Sequence, residues 1–184
     1  MALIDVILRR RSVRSYLDRP VEKEKIRLCL EAARLAPSAS NSQPWYFVVV
    51  DEPGLKNTLC DRAFGGLFAS MRVPREAPVI VAVLARPQEA RIRLGNLALG
   101  TDFNLIDLGI AGEHFALQAA ELGLGTCWIG LFDERAVKKV LGIPGGYRVV
   151  NLFTLGYYDD AGDREHHRRP LAEIASFNGF GRTG

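Results

Sequence analysis

The sequence predicts one domain of mixed helix and strand that spans residues 1–184. Runs rich in β-branched residues, such as VIVAVLA at 79–85, are typical of buried strands. Segments with an apolar face and with helix start and stop signals lie between these runs. The composition, 48% hydrophobic and 24% charged, is typical of a globular chain with a sizeable core.

Two helices are expected at the beginning of the chain. Residues 2–9 form a short, mostly apolar segment that predicts the first helix. The second falls within DRPVEKEKIRLCLEAARLAP at 18–37, where a proline stands at an early helical position, acids follow in the first turn, and apolar residues line one face. Pro37 ends this helix, because proline cannot continue the hydrogen-bond ladder.

Three strands are expected after these helices. WYFVVV at 45–50 is closed by the turn residues DEPG, and residues 55–64 are predicted to be helical. VIVAVLA forms the second strand. YRVVNLFTLGYY at 147–158 forms the third, since its alternation has a period of two.

A long helix is predicted over residues 102–122. Its apolar residues cover nearly the whole circumference, so all of its faces must be buried. One domain of this size can cover only part of it, and its small residues allow close helix approach. We therefore predict that it lies in a homodimer interface; the alternative is a central core helix in a monomer.

The segment after the long helix carries clear capping signals. The segment from Gly123 to Gly125 caps that helix, and TCWIGL leads into a further helix within DERAVKKVLG. Asp133 is the expected N-cap of this helix, and Gly142 lies past its end. From Asp159 onward the chain is polar and irregular.

Several classes of protein are disfavoured by composition. The longest apolar run is too short to cross a bilayer, and the first segment does not resemble a signal peptide. Cys29, Cys60 and Cys127 are widely spaced, so we expect buried, reduced thiols in a cytoplasmic protein, with neither a disulfide framework nor a metal site. The net charge of +3 does not suggest a general nucleic-acid coat.

The segment RRRSVRSY at 9–16 concentrates positive charge. In an extended chain Arg10, Ser12 and Arg14 point the same way, whereas in a helix only Arg10 and Arg14 are neighbours. Either geometry directs two guanidinium groups to one point, which suits a phosphate, and the extended one adds a hydroxyl. We call these three residues the arginine clamp. The alternatives are a solvated surface and, through RRRSVR, a nucleic-acid site whose affinity would fall steeply with salt.

A second concentration of polar groups lies within APSASNSQPWYF at 36–47. We call residues 36–44 of it the polar loop. Its hydroxyl and amide groups stand beside Trp45, and such groups suit the edge of a polar heteroaromatic ring. The alternative is an ordinary polar connection between a helix and a strand.

These motifs, together with GLGTCWIG after the long helix and RRPLAEI near the end, occur in an order and at a spacing that resemble the nitroreductase family. The resemblance runs over nearly the whole chain and is greatest to the short members. It implies an α+β fold, a mixed sheet flanked by helices, and an intertwined homodimer with two FMN sites at the subunit interface. It also implies NADH or NADPH as reductant.

The resemblance implies roles for individual residues. The arginine clamp and Arg168 would bind the FMN phosphate, and Arg11 would contribute near the ring or ribityl chain. The polar loop would reach the ring and ribityl side from the partner subunit, and the third motif would lie along the isoalloxazine with a backbone N–H near N5. The implied cofactor-binding residues are Arg10, Arg11, Ser12, Arg14, Pro37, Ser38, Ala39, Asn41, Gln43, Trp128, Ile129, Gly130 and Arg168.

Two positions depart from the pattern of the family. His166 stands where some relatives have lysine, and His114 stands in the long helix where many relatives have asparagine. The sequence contains no GxSxG, HExxH or CxxC motif, and no catalytic side chain is assigned. None is needed for a flavin enzyme, because the cofactor carries the redox chemistry.

The predicted activity is electron transfer from NAD(P)H, by a ping-pong mechanism, to nitroaromatics, quinones or related electron-poor acceptors. One alternative is a flavin-binding or redox-storage protein without fast turnover. Another is a different FMN reaction of the same family, such as that of a dehydrogenase or dehalogenase. The expected partners are a second copy of the chain and a small-molecule acceptor, with no nucleic acid and no membrane.

Overall fold

Helices and strands are interspersed along the chain, as the sequence predicts. The structure, a computed structural model, describes residues 2–87, 100–159 and 167–182. Short 3₁₀ turns occur at Ala39–Asn41 and Gly66–Phe68. The principal elements are α1 (Leu3–Arg9), α2 (Lys23–Arg34), β1 (Trp45–Val50), α3 (Pro53–Ala63), α4 (Val73–Glu76), β2 (Val79–Ala85), α5 (Phe103–Glu121), β3 (Gly125–Ile129), α6 (Glu134–Leu141), β4 (Arg148–Gly156) and α7 (Leu171–Ile174).

Four strands form one sheet in the order β1-β2-β4-β3. Each neighbouring pair is antiparallel, and a register shift between Val83 and Leu84 interrupts the pairing of β2 with β4. The α+β class is thereby confirmed. Within the described residues, parallel pairing is limited to an isolated bridge between Ser12 and Thr126.

The sheet separates two apolar cores. One lies beneath α2 and α5, which pack along each other, and it contains the stacked rings of Phe115 and Phe153 at 5.2 Å. The other lies on the opposite face beneath α3 and α6 and contains Leu59 and Leu152. With a core on each face, both surfaces of the sheet are covered, which accounts for the fully buried side chains of β2.

Most of the predicted elements are confirmed, although the short helix α4 was not predicted and three further differences occur. Helix α2 begins at Lys23, so Pro20 precedes the helix instead of opening it. Residues 125–129, expected only to lead into the next helix, form the edge strand β3. In addition, the irregular C-terminal segment contains the short helix α7.

The predicted caps of α6 are confirmed by its hydrogen bonds and backbone angles. Asp133 Oδ1 accepts from the backbone N–H of Ala136 at 3.0 Å, which satisfies an otherwise free N–H of the first turn. Gly142 ends the helix with φ 63°, a left-handed conformation that costs glycine little. The expected buried thiols are also confirmed: Cys29, Cys60 and Cys127 are buried and free, and burial raises the pKa of Cys29 to about 12.

Apolar side chains remain exposed at both ends of the chain and on α5. Helix α5 buries one face against the sheet, yet Ile106 on another face is 49% exposed. In the C-terminal segment Leu171, Ile174 and Phe177 are each more than 60% exposed. No helix in the described ranges is long and apolar enough to cross a membrane.

Candidate functional site

The arginine clamp lies in an extended segment directly after α1. The backbone N–H of Arg10 caps α1 by donating to the carbonyl of Val6 at 2.9 Å. Farther along, Val13 N–H donates to the Thr126 carbonyl at 2.8 Å, beside the parallel bridge of Ser12. The structure therefore adopts the extended alternative, in which alternate side chains share a side.

Close contact with β3 fixes this extended segment. Val13 is buried, and a Cβ on Gly125 would lie 2.5 Å from Val13 Cγ2. A larger residue at position 125 would push the segment away from the sheet. Gly125 thus permits the approach that places the arginine clamp beside β3.

The two arginines of the clamp are held by few contacts. Arg10 Nε lies 3.4 Å from Glu113 Oε1 on α5, and its side chain is 19% exposed. Among the described residues this is its side-chain partner, so its two terminal NH₂ groups remain free for another acceptor. Arg14 is exposed, and its Nη1 donates to the Ser12 carbonyl at 3.3 Å.

Glu113 is half-buried beside Arg10. Burial raises the pKa of the Glu113 carboxyl, and the Arg10 guanidinium opposes that shift only partly. The ionised Glu113 carboxylate next to the clamp therefore lowers the stability of the folded chain. The sequence reasoning missed this contact, because an exposed-looking acid on a helix gives no sign of a partner 103 residues away.

Arg11, predicted near the ring or ribityl chain, and Arg168, predicted at the phosphate, are placed differently from the clamp. The guanidinium of Arg11 lies 5.1 Å from the ring centre of Tyr158. Arg168 is exposed and donates from Nη1 to the His167 carbonyl at 3.2 Å. Within the described ranges no hydrogen bond or ion pair joins Arg168 to the clamp. His166 lies outside the described residues.

The polar loop adopts an unusual backbone conformation. Ser40, Asn41 and Gln43 have φ values of 52°, 54° and 45°, in the left-handed region. Residues other than glycine are disfavoured there by roughly 1–2 kcal/mol each, asparagine least. Internal bonds support this shape: Ser38 Oγ accepts from Gln43 N–H at 3.0 Å, and Gln43 Nε2 donates to Asn41 Oδ1 at 3.2 Å.

A buried carboxylate on α5 connects the polar loop to the core. Asp107 is 3% exposed, and its two oxygens accept from the backbone N–H of Ala39 at 3.1 and 3.2 Å. Ser42 Oγ lies at 3.5 Å from one of these oxygens. Sequence reasoning missed Asp107. The available signal was an acid in the middle of a largely apolar helix.

The exposed side of the polar loop borders an open cavity of about 560 Å³. Pro37, Asn41 and Gln43 are themselves exposed, whereas Ser38 and Ala39 are partly buried. The cavity gives a ligand access to the amide of Gln43. Its lining residues include Ser42, Gln43, Trp45, Tyr46 and Arg86.

Trp128 occupies the edge strand between α5 and the sheet. Its ring lies 4.4 Å from that of Phe153, at an angle of 60°, and 36% of the residue is exposed. A Cβ on Gly112 would lie 2.3 Å from Trp128 Cη2, so glycine is required there for the indole to fit. The exposed part of the indole is available to an aromatic ligand.

The two residues after Trp128 differ from each other. Ile129 is 2% exposed and points into the core beneath α3 and α6, so only its backbone can contact a ligand. Gly130 is exposed, with no atom within 4 Å of the position of an added Cβ. A planar ring can therefore approach the backbone of Gly130 closely.

The other departure noted in the sequence is His114 on α5. Its Nδ1 lies 3.2 Å from the Ala32 carbonyl of α2.

Helix α5 contacts both candidate segments, at different places. Asp107 and Glu113 are six residues apart, which corresponds to about 9 Å along the helix axis and about 120° around it. Glu113 adjoins Gly112, so the clamp and Trp128 share one neighbourhood. The polar loop meets another face of the helix.

Comparison with known proteins agrees with this architecture. A protein of Archaeoglobus fulgidus whose name includes "NAD(P)H nitroreductase" is 35% identical over 165 residues, or 87% of each chain. The 5,6-dimethylbenzimidazole synthase of Rhodospirillum rubrum is 30% identical, covering 90% of this chain and 82% of its own. Among solved structures, an FMN-dependent nitroreductase of Clostridium difficile has a TM-score of 0.75 at 29% identity, covering 96% and 99% of the two chains. The sequence pattern of the Nitroreductase family matches residues 7–157, and the chain belongs to that family.

Proposed function

We propose that this protein binds FMN at a dimer interface and transfers electrons from NADH or NADPH to nitroaromatic, quinone or related electron-poor acceptors. Membership of the family makes the chain an NAD(P)H-dependent oxidoreductase. FMN, the ping-pong order and the acceptors are the proposed part. The observation that carries the proposal is the extended segment that presents Arg10, Ser12 and Arg14 beside β3.

The chemistry of the arginine clamp fits the FMN phosphate. The free terminal groups of Arg10, the guanidinium of Arg14 and the hydroxyl of Ser12 are all donors, as phosphate oxygens require. Each charge-assisted hydrogen bond contributes about 1.5–3 kcal/mol. Three or four of them would supply about half of the ~12 kcal/mol that nanomolar binding requires. Arg168 would add a further contact once the C-terminal segment is packed in the dimer.

The other half of the affinity must come from the ring and ribityl chain. The exposed part of Trp128 and the backbones of Ile129 and Gly130 would line one side of the ring, and Arg11 would lie nearby. Burial of the flavin contributes about 25 cal/mol per Å² of apolar surface. The partner subunit would supply the polar loop, through Pro37, Ser38, Ala39, Asn41 and Gln43.

A dimer is supported by the apolar surface that a single chain leaves uncovered. Leu3, Ile4 and Leu8 of α1 are each more than 55% exposed, as are the apolar residues of the C-terminal segment. Exposed apolar side chains in such numbers are typical of an interface between subunits. The different faces of α5 that meet the clamp and the polar loop also favour sites built from two chains. Light scattering at micromolar concentration should give the mass of a dimer, and a monomer would contradict the proposal.

The chain's own contribution to the reaction is orientation and charge. When bound, FMN would supply the redox chemistry, accepting a hydride from NAD(P)H and passing two electrons to the acceptor in a second half-reaction. Trp128 and the glycine backbone would hold the ring flat, and the clamp would fix its tail. The arginines also place positive charge near a cofactor that gains negative charge. No side chain is assigned as an acid or base.

The absorption spectrum tests the proposed function directly. Purified protein should be yellow, and its visible flavin bands should bleach when NADH or NADPH is added without oxygen. Steady-state kinetics with a quinone or nitroaromatic should give parallel double-reciprocal lines. Intersecting lines would contradict the ping-pong order, and a spectrum that neither nucleotide changes would contradict the oxidoreductase function.

A different flavin reaction is the second candidate. It is favoured by the likeness to a relative named 5,6-dimethylbenzimidazole synthase. A bound flavin that NAD(P)H reduces, but that is then consumed instead of being reoxidised by a quinone, would support this candidate. Reduction without turnover would instead support a redox-storage protein. A cytoplasmic location remains a prediction.

A further inference from the structure

We propose that Asp107 is a positioning residue that fixes the polar loop in its flavin-binding conformation. The proposal rests on the proposed function, because it concerns the same flavin. Asp107 itself is buried in α5 and would touch neither cofactor nor substrate. It acts through the backbone of the loop.

The contacts of Asp107 show that its carboxylate binds the polar loop. It is 3% exposed on a largely apolar helix, a place where a carboxylate is costly unless it is hydrogen-bonded. Among the described residues its hydrogen-bond donors are the N–H of Ala39 and the hydroxyl of Ser42, both in the polar loop. No guanidinium or ammonium group in the described ranges pairs with it. Its described interactions are therefore directed to the loop.

The polar loop depends on this support because of its conformation. Three of its residues other than glycine have positive φ, a state that persists when surrounding contacts enforce it. The bonds from Gln43 to Ser38 and Asn41 lie within the loop and near solvent. The contact with Asp107 ties the middle of the loop to a long helix. That helix packs on the core, so the anchor point is rigid.

Loss of this anchor should reduce the fraction of molecules whose loop can bind. The apparent dissociation constant then rises in inverse proportion to that fraction. The rise should be equal for FMN and for riboflavin, because both carry the ring and ribityl chain that the loop would contact. A defect in the arginine clamp would affect FMN alone, since riboflavin has no phosphate.

The test compares Asp107→Ala, Asp107→Asn and a matched control, Asn104→Ala. Asn104 is 5% exposed, lies on the same helix three residues earlier, and makes no described side-chain bond to the loop. FMN and riboflavin affinities would be measured by quenching of flavin fluorescence, well below the melting temperature. Hydrogen exchange at the Ala39 amide would be measured without flavin.

We expect Asp107→Ala to weaken both ligands by tenfold or more, with the FMN-to-riboflavin ratio unchanged, and to speed exchange at Ala39. Asp107→Asn keeps an acceptor oxygen and should recover much of the affinity. The control should leave both affinities within about threefold of wild type. Wild-type affinity in Asp107→Ala, a loss confined to FMN, or an equal loss in the control would overturn the proposal.

Failure of the proposed function would look different. In that case the wild-type protein would bind neither flavin, so no variant could be compared by affinity. The exchange rate at Ala39 would still report whether Asp107 holds the loop. A loop that is held, in a protein without flavin affinity, would contradict the function while leaving the structural contact intact.

Discussion

The arginine clamp and the polar loop are held in opposite ways. The clamp is attached to the fold through its backbone, while its charged groups, among the described residues, make one ion pair and one hydrogen bond to a carbonyl. The polar loop is exposed but internally bonded, and a buried carboxylate anchors it. The clamp can therefore adjust to a phosphate, whereas the loop is pre-shaped before a ligand arrives. Affinity at the clamp depends on charge, and affinity at the loop depends on shape.

Removal of a clamp arginine should show the difference between the clamp and the polar loop most strongly, because it should weaken FMN binding but not riboflavin binding. Arg14→Ala or Arg10→Ala should weaken FMN by about 10- to 100-fold, the equivalent of one charge-assisted hydrogen bond, and leave riboflavin unchanged. The variants should fold but lose FMN on dialysis. Arg27→Ala, which removes an exposed arginine that pairs with Glu24 away from the clamp, is the control. A clamp variant that stays as yellow as wild type would count against the clamp.

Higher ionic strength should also weaken FMN binding more than riboflavin binding, by a smaller factor. Raising NaCl from 50 mM to 500 mM should weaken FMN by about threefold to tenfold, because salt screens exposed guanidinium groups. Riboflavin, which is uncharged, should change little. Equal salt dependence for both flavins, measured by the same fluorescence titration, would show that the phosphate is not bound by the clamp.

Subunit mixing would show whether clamp and loop of one site come from different chains. Arg14→Ala chains carrying one affinity tag would be combined with Asn41→Ala/Gln43→Ala chains carrying another, and mixed dimers purified. If the site is shared, one site in each mixed dimer contains both defects and the other contains none. About half of the sites should then bind FMN with wild-type affinity. If each chain builds its own site, no site is intact and no such recovery occurs.

The smallest effect concerns Glu113, the acid beside the clamp. Burial raises its pKa above the ordinary value of 4.5, so the folded state binds this proton more tightly than the unfolded state. Its contribution to stability is present at low pH and is lost as pH rises through the raised pKa. The Tm of Glu113→Gln minus the Tm of wild type should therefore rise by about 1–2 °C when the pH is raised from 4 to 8. Glu121→Gln, an exposed acid on the same helix, should gain nothing; an equal gain would remove the assigned cause.

The sequence predicted those features that depend on neighbours along the chain. The caps of α6 follow from Asp133 and Gly142, whose local roles need no tertiary information. Strands β1 and β2 were recognisable from continuous apolar runs, and β4 from its alternation. The clamp motif was recognisable from its spacing, although the choice between extended chain and helix was left open until the bridge of Ser12 with Thr126 was seen.

Features that depend on contacts between distant segments could not be read from the sequence. Strand β3 is five residues long and follows a glycine-rich turn, so its pattern was too short to identify. The inward orientation of Ile129 depends on which face of the sheet it meets. The partners of Asp107 and Glu113 are backbone or side-chain groups many residues away. The burial of an acid is visible only once the helix has been packed.

The central claim is that the arginine clamp holds the phosphate of a bound FMN, and a flavin titration of wild-type apoprotein, prepared by removing flavin in denaturant and refolding, tests it most directly. FMN should bind with a dissociation constant near the nanomolar range, restore the yellow colour and quench flavin fluorescence, while riboflavin should bind at least tenfold more weakly. A protein that remains colourless with FMN, or that binds FMN and riboflavin equally well, would contradict the account.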